Sequence, residues 1–408
     1  MNGEEMEELK EGWRLENLEE NLEVILDYRG KTPQKSEKGR VTLSAKSVKM
    51  GYIDYSNIYY VSEETYSKFM TRGLPKKGDI LLTTEAPLGC VAELKDDSVC
   101  LAQRLITLRG KKEKLNNKYL LYYLQSPRGQ YELLSKATGT TVQGIKRTEF
   151  SKVKILMPSL EKQNKIASIL SSLDEKIELN RKINQNLEEI AQTLFKRWFI
   201  DFEFPNEEGK PYKSSGGKMI ESELGEIPEG WRVGKLGEII EIFDSLRKPL
   251  SKKERDLKEK LYPYYGAAGI IDYVDEYLFD GEYILLGEDG TVVSEKGTPI
   301  LNFIQEKFWV SNHAHVIIEK NKDNSYLYYL LKNTDIRHII TGAVQPKINQ
   351  KNLIELKVTI SQEELVKKFS NIISNITLKI RNNQKEIKKL TELRDYLLPR
   401  LMSGEISV

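Results

Sequence analysis

Two long stretches of the chain carry hydrophobic residues at the alternating three- and four-residue spacing of an amphipathic helix. They run from residue 160 to about 200 and from residue 362 to about 402. A seam kept over several heptads predicts two long helices that pack together as a coiled coil. Two independent amphipathic helices on separate cores are the alternative. The predicted seam positions are Leu170, Leu173, Ile177, Asn180, Asn184, Leu187, Ala191, Leu194 and Trp198 in the first helix, and Ile373, Ile376, Ile380, Asn383, Ile387, Leu390, Arg394, Leu397 and Leu401 in the second.

Two asparagines, Asn180 and Asn383, occupy equivalent positions of this apolar seam. A polar residue in a coiled-coil seam usually fixes register and partner choice at some cost in stability. We therefore expect the two side chains to face either one another or water.

Outside the helices the pattern changes to short runs of β-branched and aromatic residues between Gly, Pro, Asn and Asp. Residues 79–84, 104–108, 282–286 and 315–318 are the clearest of these runs, and they predict strands. Each half of the chain outside its long helix therefore reads as a mixed α/β globular domain.

The second half of the chain repeats the first in the same order. The motif Glu-Gly-Trp-Arg at 11–14 returns at 229–232, and Tyr-Tyr-Leu at 122–124 returns at 328–330. Val142-Gln143 matches Val344-Gln345 and Phe150 matches Leu353, so the offset falls from 218 residues at the first motif to 203 at this last pair. Because each domain is followed by a helix, the second helix must return along the first, so the two helices are antiparallel.

The predicted fold class is therefore α+β, with a pseudo-two-fold internal repeat. Two similar globular domains are separated by two long antiparallel helices that form a coiled coil. The predicted boundaries are a first domain at 1–157, a helix at 158–203, a polar linker at 204–228, a second domain at 229–360 and a second helix at 361–408.

Composition narrows the class of protein. The net charge is only +2, yet six cations against one acid lie between residues 31 and 49, so contact with nucleic acid is permitted. The acidic N-terminus has no apolar segment, and no run approaches the roughly 20 apolar residues of a membrane helix. We expect a cytoplasmic protein in which Cys90 and Cys100 are buried thiols rather than a disulfide or a metal pair.

Residue sets for catalysis are missing. Gly30-Lys31-Thr32 resembles the end of a phosphate-binding loop, but Ile25 occupies the required upstream glycine position. The chain has no Asn-Pro-Pro-Tyr or Asp-Pro-Pro-Tyr segment to hold a flipped base for methylation. His313 and His315 have no third ligand nearby, so we predict no metal site. We expect a protein without catalysis of its own.

Several motifs resemble the specificity subunits of Type I restriction-modification systems. They are residues 157–170 with 173–177 at the start of the first helix, 191–202 at its end, 224–231 before the second domain, and 397–406. The resemblance covers essentially the whole chain. It implies two target-recognition domains that each read one half of a bipartite double-stranded DNA site, and central helices that set the half-site spacing.

The same resemblance implies partners. Two methyltransferase subunits dock on the central helices, and motor-nuclease subunits join that assembly. The cofactors S-adenosylmethionine, ATP and magnesium then belong to the partners, and this chain needs none. The alternative is a coiled-coil scaffold that binds protein partners without sequence-specific DNA binding.

Candidate DNA contacts follow from chemistry, because bases are read by side chains with directional donors and acceptors while Lys and Arg hold phosphates. Loops between strands are the expected platform. For the first domain the candidates are Arg29, Lys31, Thr32, Lys46, Thr83, Thr84, Glu85, Gln103, Arg104, Thr140, Thr141, Gln143 and Lys146. For the second domain they are Arg247, Lys248, Glu288, Asp289, Asn312, His313, His315, Gln345 and Lys347.

Overall fold

The structure, a computed structural model, describes residues 10–28, 32–139, 142–342 and 344–408. It divides into two compact units. The first unit combines residues 1–181 with residues 384–408, and the second unit is residues 182–383. The domain boundaries predicted from the sequence remain a prediction, but this division differs from them because each long helix contributes to both units.

In the first unit, the described residues form nine strands, four short helices and part of each long helix. The strands are β1 (Arg14–Asn17), β2 (Leu22–Asp27), β3 (Arg40–Leu43), β4 (Tyr59–Val61), β5 (Ile80–Thr84), β6 (Leu88–Glu93), β7 (Cys100–Leu101), β8 (Leu105–Gly110) and β9 (Lys154–Met157). The α-helices are α1 (Glu63–Phe69), α2 (Asn117–Gln125), α3 (Pro127–Leu134), α4 (Arg147–Phe150) and the long α5 (Leu160–Phe199), and Glu19–Asn21 and Tyr55–Asn57 form 3₁₀ turns.

Three sheets build the first unit. A four-stranded antiparallel sheet has the order β2-β8-β5-β6, and a three-stranded sheet has the order β4-β3-β7. Strands β1 and β9 pair antiparallel, with Arg14 opposite Met157. The central strand β5 is buried along its whole length, which accounts for its continuous apolar run rather than an alternating one.

Helix α2 closes the core of the first unit. The Asn116 side chain accepts a hydrogen bond from the Tyr119 N–H and so caps the helix N-terminus. All residues from Tyr119 to Leu124 are buried, and the Tyr119 hydroxyl donates to the Leu156 carbonyl at 2.6 Å. A buried phenol with a satisfied hydroxyl fixes the helix against β9.

In the second unit, the described residues form ten strands, three short helices and part of each long helix. The strands are β10 (Met219–Ile220), β11 (Ile227–Pro228), β12 (Arg232–Lys235), β13 (Ile240–Ile242), β14 (Tyr262–Tyr265), β15 (Ile270–Val274), β16 (Phe279–Gly287), β17 (Leu301–Val310), β18 (Ala314–Glu319) and β19 (Lys357–Ile360). The α-helices are α6 (Lys252–Asp256), α7 (Asn324–Lys332), α8 (Gln350–Glu355) and α9 (Glu363–Ser403), and Leu236–Glu238, Asp244–Leu246 and Arg337–Ile339 form 3₁₀ turns.

The strand pairing of the second unit repeats that of the first. Its six-stranded sheet has the order β13-β18-β16-β17-β14-β15, of which the first four strands correspond to β2-β8-β5-β6. Strands β12 and β19 pair antiparallel, as β1 and β9 do. The predicted repeat and the α+β fold class are confirmed. The four runs predicted as strands coincide with β5, β8, β16 and β18, except that Asp79 and Arg104 lie one residue outside their strands.

Each long helix is divided between the two units. In the first unit the Asp174 carboxylate of α5 accepts from Arg394 of α9 at 2.9 Å, and Leu170 shares a core with Leu401. In the second unit Phe195 of α5 shares a core with Phe369 of α9. The early part of one helix thus meets the late part of the other in each unit, which is the predicted antiparallel pairing.

The segment predicted as a polar linker has structure of its own. The Phe204 ring stacks on Tyr212 at 4.6 Å and on Trp231 at 5.5 Å between centroids. Strands β10 and β11 pair just before Trp231, so aromatic packing ties this segment to the second unit.

Two further expectations from the sequence concern membrane helices and the two cysteines. In the described ranges, no helix combines the length and the apolar character that crossing a bilayer requires. Cys90 and Cys100 are free thiols, but only Cys100 is buried as predicted, whereas Cys90 is half-buried. Burial raises the pKa of both thiols, to about 11 for Cys100. A raised thiol pKa leaves little reactive thiolate at neutral pH.

Candidate nucleic-acid interface

The first unit carries a loop at residues 138–144 whose ends are joined by two backbone hydrogen bonds. The Thr138 N–H donates to the Gly144 carbonyl at 2.8 Å, and the Gly144 N–H returns to the Thr138 carbonyl at 3.0 Å. The next residue anchors the loop to the sheet, because the Ile145 N–H donates to the Thr84 carbonyl at 2.9 Å. We call residues 138–144 the first loop.

A tight turn between β7 and β8 lies beside the anchor of the first loop. The Thr84 N–H donates to the Arg104 carbonyl at 2.9 Å, and Arg104 has a left-handed backbone with φ of 66°. The Arg104 guanidinium lies 3.4 Å from the Glu85 carboxylate. The Thr32 hydroxyl hydrogen-bonds the Gln103 side chain. Polar side chains from three separate segments therefore meet at this strand end.

The second unit builds the same arrangement. Residues 341–347, the second loop, are joined at their ends by 2.8 Å hydrogen bonds in both directions between Thr341 and Lys347. The Ile348 N–H donates to the Glu288 carbonyl at 2.8 Å, as Ile145 does to Thr84 in the first unit. The two loops therefore have the same length and the same anchor.

The neighbouring turn is repeated as well. The Glu288 N–H donates to the His313 carbonyl at 2.8 Å, and the His313 Nδ1 lies 2.6 Å from the Asp289 carboxylate. Asn312 precedes His313 and is exposed. The exposed pair Asn312-His313 thus occupies the position that Gln103-Arg104 holds in the first unit.

The loop geometry corrects the alignment of the two halves by one residue. Gly139 and Gly342 have φ of 102° and 88°, and a Cβ on either would lie within 2.4 Å of the carbonyl oxygen of Val142 or Gln345, respectively. Val142 therefore corresponds to Gln345. The sequence comparison had matched Gln143 with Gln345, because the Val-Gln dipeptide recurs by chance one position out of register.

The candidates of the first unit fall into four groups. Arg29, Lys31, Thr140 and Thr141 lie outside the described residues. Thr32, Lys46, Arg104, Gln143 and Lys146 are exposed, and Glu85 and Gln103 are half-buried. Thr83 and Thr84 are buried, and the Thr83 hydroxyl accepts from the Cys90 N–H at 2.8 Å. We correct the assignment of these two threonines: their side chains cannot reach a ligand here, and they support the strand end.

The candidates of the second unit separate in a similar way. Lys248, Asn312, His313, Gln345 and Lys347 are exposed, and Arg247, Glu288 and Asp289 are half-buried. His315 is buried, with only 1% of its surface exposed, so its assignment as a direct DNA contact is corrected as well. Together with Asp244, the residues Arg247, Glu288 and His315 form an internal ion cluster.

Asp244 is the member of this cluster that sequence reasoning missed. Its carboxylate accepts from His315 at 2.6 Å and from the Val316 N–H at 3.0 Å, and it lies 3.5 Å from Arg247. Burial opposes ionisation, but His315, the N–H group and Arg247 outweigh it and lower the pKa of Asp244. An Asp shortly before an Arg in both halves, Asp27 before Arg29 and Asp244 before Arg247, was the available signal.

The pKa of Glu288 is lowered by similar forces. Burial raises it, but hydrogen bonds from Arg247 and Lys347 and the charge of His315 prevail. The Arg247 guanidinium lies 2.7 Å and the Lys347 ammonium 3.1 Å from the Glu288 carboxylate. Both carboxylates of the cluster are thus ionised and paired with cations.

Three groups of this cluster, Asp244, Glu288 and His315, have ligand atoms within 4.8 Å of one another, the spacing that a metal ion requires. The His315 Nδ1 and the carboxylates already hydrogen-bond or pair with protein groups. Arg247 and Lys347 supply the positive charge that an ion would otherwise bring. The arrangement fits an internal ion network better than a metal centre.

The predicted seam residues are all buried or half-buried. In the first unit the Asn180 amide donates to Glu386 at 2.9 Å. In the second unit the Asn383 amide donates to Asn184 at 2.8 Å. The expectation that Asn180 and Asn383 face one another or water is therefore wrong: each has a different polar partner on the opposing helix, which satisfies an otherwise buried amide.

The two units share the backbone geometry of the loop and the turn but differ in their exposed side chains. The chain is therefore a protein with two polar surfaces of the same construction. The model of the Type I restriction modification DNA specificity domain matches residues 10–189 and 228–392. The chain therefore belongs to the family of Type I restriction-modification specificity subunits, and a helical scaffold without this role is not favoured.

Individual relatives agree with this family. The Type I restriction enzyme MjaIX specificity subunit of Methanocaldococcus jannaschii is 31% identical over 372 residues, which cover 85% of this chain and 82% of the relative. The putative MjaX specificity subunit of the same organism is 25% identical over 99% of this chain and 96% of its own length. The crystal structure of the S subunit from M. genitalium shares the fold, with a TM-score of 0.62 and 19% identity, covering 95% of this chain and 96% of that one.

Proposed function

We propose that each unit reads one half of a bipartite DNA site through its loop and the neighbouring turn. The observation that carries this proposal is the repeated arrangement with unequal side chains. Gln103 and Arg104 stand in one unit where Asn312 and His313 stand in the other. Glutamine and asparagine both favour adenine, but arginine pairs bidentately with guanine, which a histidine ring cannot do, so the two half-sites differ where Arg104 and His313 read them.

The chain acts in the cytoplasm as a recognition subunit and performs no chemistry of its own. Two methyltransferase subunits dock along α5 and α9, and motor-nuclease subunits join them. These partners bring S-adenosylmethionine, ATP and magnesium. The family assignment supports these separate roles of the subunits. The ion cluster around Asp244 supports them as well, because its charged groups are already paired with other groups of the protein.

Reconstitution with the methyltransferase subunits tests the proposal. Sequencing the methylated bases of a host that expresses the complex should show one two-part sequence with a fixed gap. The rigorously purified chain alone should neither methylate nor cut DNA. Methylation of an undivided sequence, or methyl transfer by the chain alone, would contradict the proposal.

A further inference from the structure

His315 lies at the start of β18, beneath the second loop, and both of its ring nitrogens are engaged. The Nδ1 lies 2.6 Å from the Asp244 carboxylate, and the Nε2 lies 2.8 Å from the Ile348 carbonyl oxygen. Carboxylate and carbonyl oxygens only accept hydrogen bonds. Both contacts can be hydrogen bonds at the same time only if both nitrogens donate, so the geometry calls for the doubly protonated imidazolium.

The surrounding charges match a buried cation at this position. Asp244, in the turn after β13, and Glu288, at the end of β16, are the two carboxylates that face the ring, with Glu288 at 3.8 Å. Arg247 and Lys347 are the cations of the same cluster, and both pair with Glu288. The cluster joins the turn after β13, the end of β16, the start of β18 and the second loop.

The imidazolium holds the base of the second loop through Ile348. The Ile348 N–H donates to the Glu288 carbonyl while its own carbonyl accepts from His315, and its side chain is fully buried. Lys347, the residue before it, closes the loop against Thr341. A neutral ring keeps only one N–H, and the ionised Asp244 carboxylate is the stronger acceptor for it. The Nε2 would then face the Ile348 carbonyl without a proton, so this anchor is lost and two buried acceptors are left beside each other, a costly arrangement.

Among the described residues of the first unit, an uncharged side chain stands where the second unit has this cation. The Thr84 N–H donates to the Arg104 carbonyl, just as the Glu288 N–H donates to the His313 carbonyl. Arg104 therefore corresponds to His313, and Ile106, two residues later, corresponds to His315. Ile106 and Thr84 are both buried and uncharged. All three histidines of the chain, His313, His315 and the distant His338, belong to the second unit.

We propose that His315 is a positioning residue that holds the second loop in its DNA-reading arrangement, and that recognition by the second unit therefore depends on its proton. This inference rests on the proposed function. The half-site read by the second unit should be discriminated well at pH 6 and progressively less well as the pH rises. The half-site read by the first unit should be discriminated equally across the range.

The experiment uses the complete chain in complex with its methyltransferase subunits. The two half-sites are first identified from the methylated bases. Equilibrium competition between the cognate duplex and duplexes with either half scrambled then gives two discrimination ratios from pH 6 to pH 9. His313→Gln serves as the control for the exposed ring, because any pH dependence that remains in this variant cannot come from His313.

For the unaltered chain, we expect the discrimination of one half-site to fall roughly tenfold or more with rising pH. His313→Gln lacks one reading side chain, so it should start from a lower ratio but show the same relative fall. His315→Gln should have low discrimination of that half-site at every pH and normal discrimination of the other. The double variant Glu288→Thr with His315→Ile reproduces the chemistry of the first unit and should lose the pH dependence.

Several results would overturn the inference. Flat ratios for both half-sites in the unaltered chain would do so without any variant, even if His315→Gln failed to fold. Unchanged recognition by folded His315→Gln, or an equal loss at both half-sites, would do so as well. A complex that shows no sequence discrimination at either half refutes the proposed function instead, so the two failures are distinguishable.

Discussion

Replacing Phe369 by alanine should destabilise the second unit alone. The ring is fully buried on α9 and contacts four other aromatic rings at centroid distances of 5.2 to 6.2 Å, those of Phe195, Trp198, Phe199 and Tyr329. Truncation of a buried phenylalanine costs about 3–5 kcal/mol. For a cooperative unit of about 200 residues, each kcal/mol lowers Tm by about 2–4 °C, so we expect a fall of about 6–20 °C.

Ile166→Ala is the matched control in the first unit. Ile166 and Phe369 are the seventh residues of α5 and α9, and both are fully buried. Removal of the isoleucine side chain should cost about 2–5 kcal/mol. In differential scanning calorimetry of the intact chain, each variant should lower a different transition. A fall of less than about 3 °C for Phe369→Ala, or an equal shift of both transitions by either variant, would refute the reasoning.

Three further predictions concern recognition, spacing and pH. The double variant Gln103→Ala with Arg104→Ala should weaken binding to one half-site by roughly 1–3 kcal/mol per lost base contact. Binding to duplexes scrambled in either half measures this. An equal loss at both half-sites would show that the two side chains hold phosphates instead. Inserting seven residues at equivalent positions of α5 and α9 lengthens each helix by roughly 10 Å, so the gap between the half-sites should grow by up to about three base pairs. The methylated sites of an active variant give this gap directly. An unchanged gap would show that the helices do not set the spacing. Burial raises the pKa of Glu319, so its protonated form stabilises the fold at low pH and this contribution is lost as the pH rises. In urea denaturation Glu319→Gln should therefore be at least as stable as the unaltered chain at pH 7, with a smaller advantage at pH 4, and an equal loss of stability at both would contradict this.

The parts of the fold that depend on local periodicity could be predicted from the sequence. The three- and four-residue spacing marks α5 and α9 because the seam faces one direction for some forty residues. Strand β5 and the second half of β16 are equally visible, because each contains the apolar run Ile-Leu-Leu, at 80–82 and 284–286. Their order in the two halves then gives the repeat.

The chemical roles at the interface could not be predicted in the same way. Thr83, Thr84 and His315 are polar residues at strand ends, where exposed contacts are common, and only the packing of other segments above them makes them buried. Asp244 and His315 lie 71 residues apart, so no local spacing joins them. The one-residue register of the second loop likewise depends on the left-handed Gly342, which a match of side-chain types does not detect.

The division of α9 between the units has a consequence for the exchange of gene segments between relatives. The first unit draws part of its core from Leu401 and Met402, and Ile406 and Val408 pack against that core. A chimaera that receives a foreign first half must fit its new Ile166 to these resident residues. A second half taken from within 182–383 brings its complete core with it. Recombination should therefore replace the second specificity more freely than the first, and foreign first halves should be retained mainly when the last 25 residues match them.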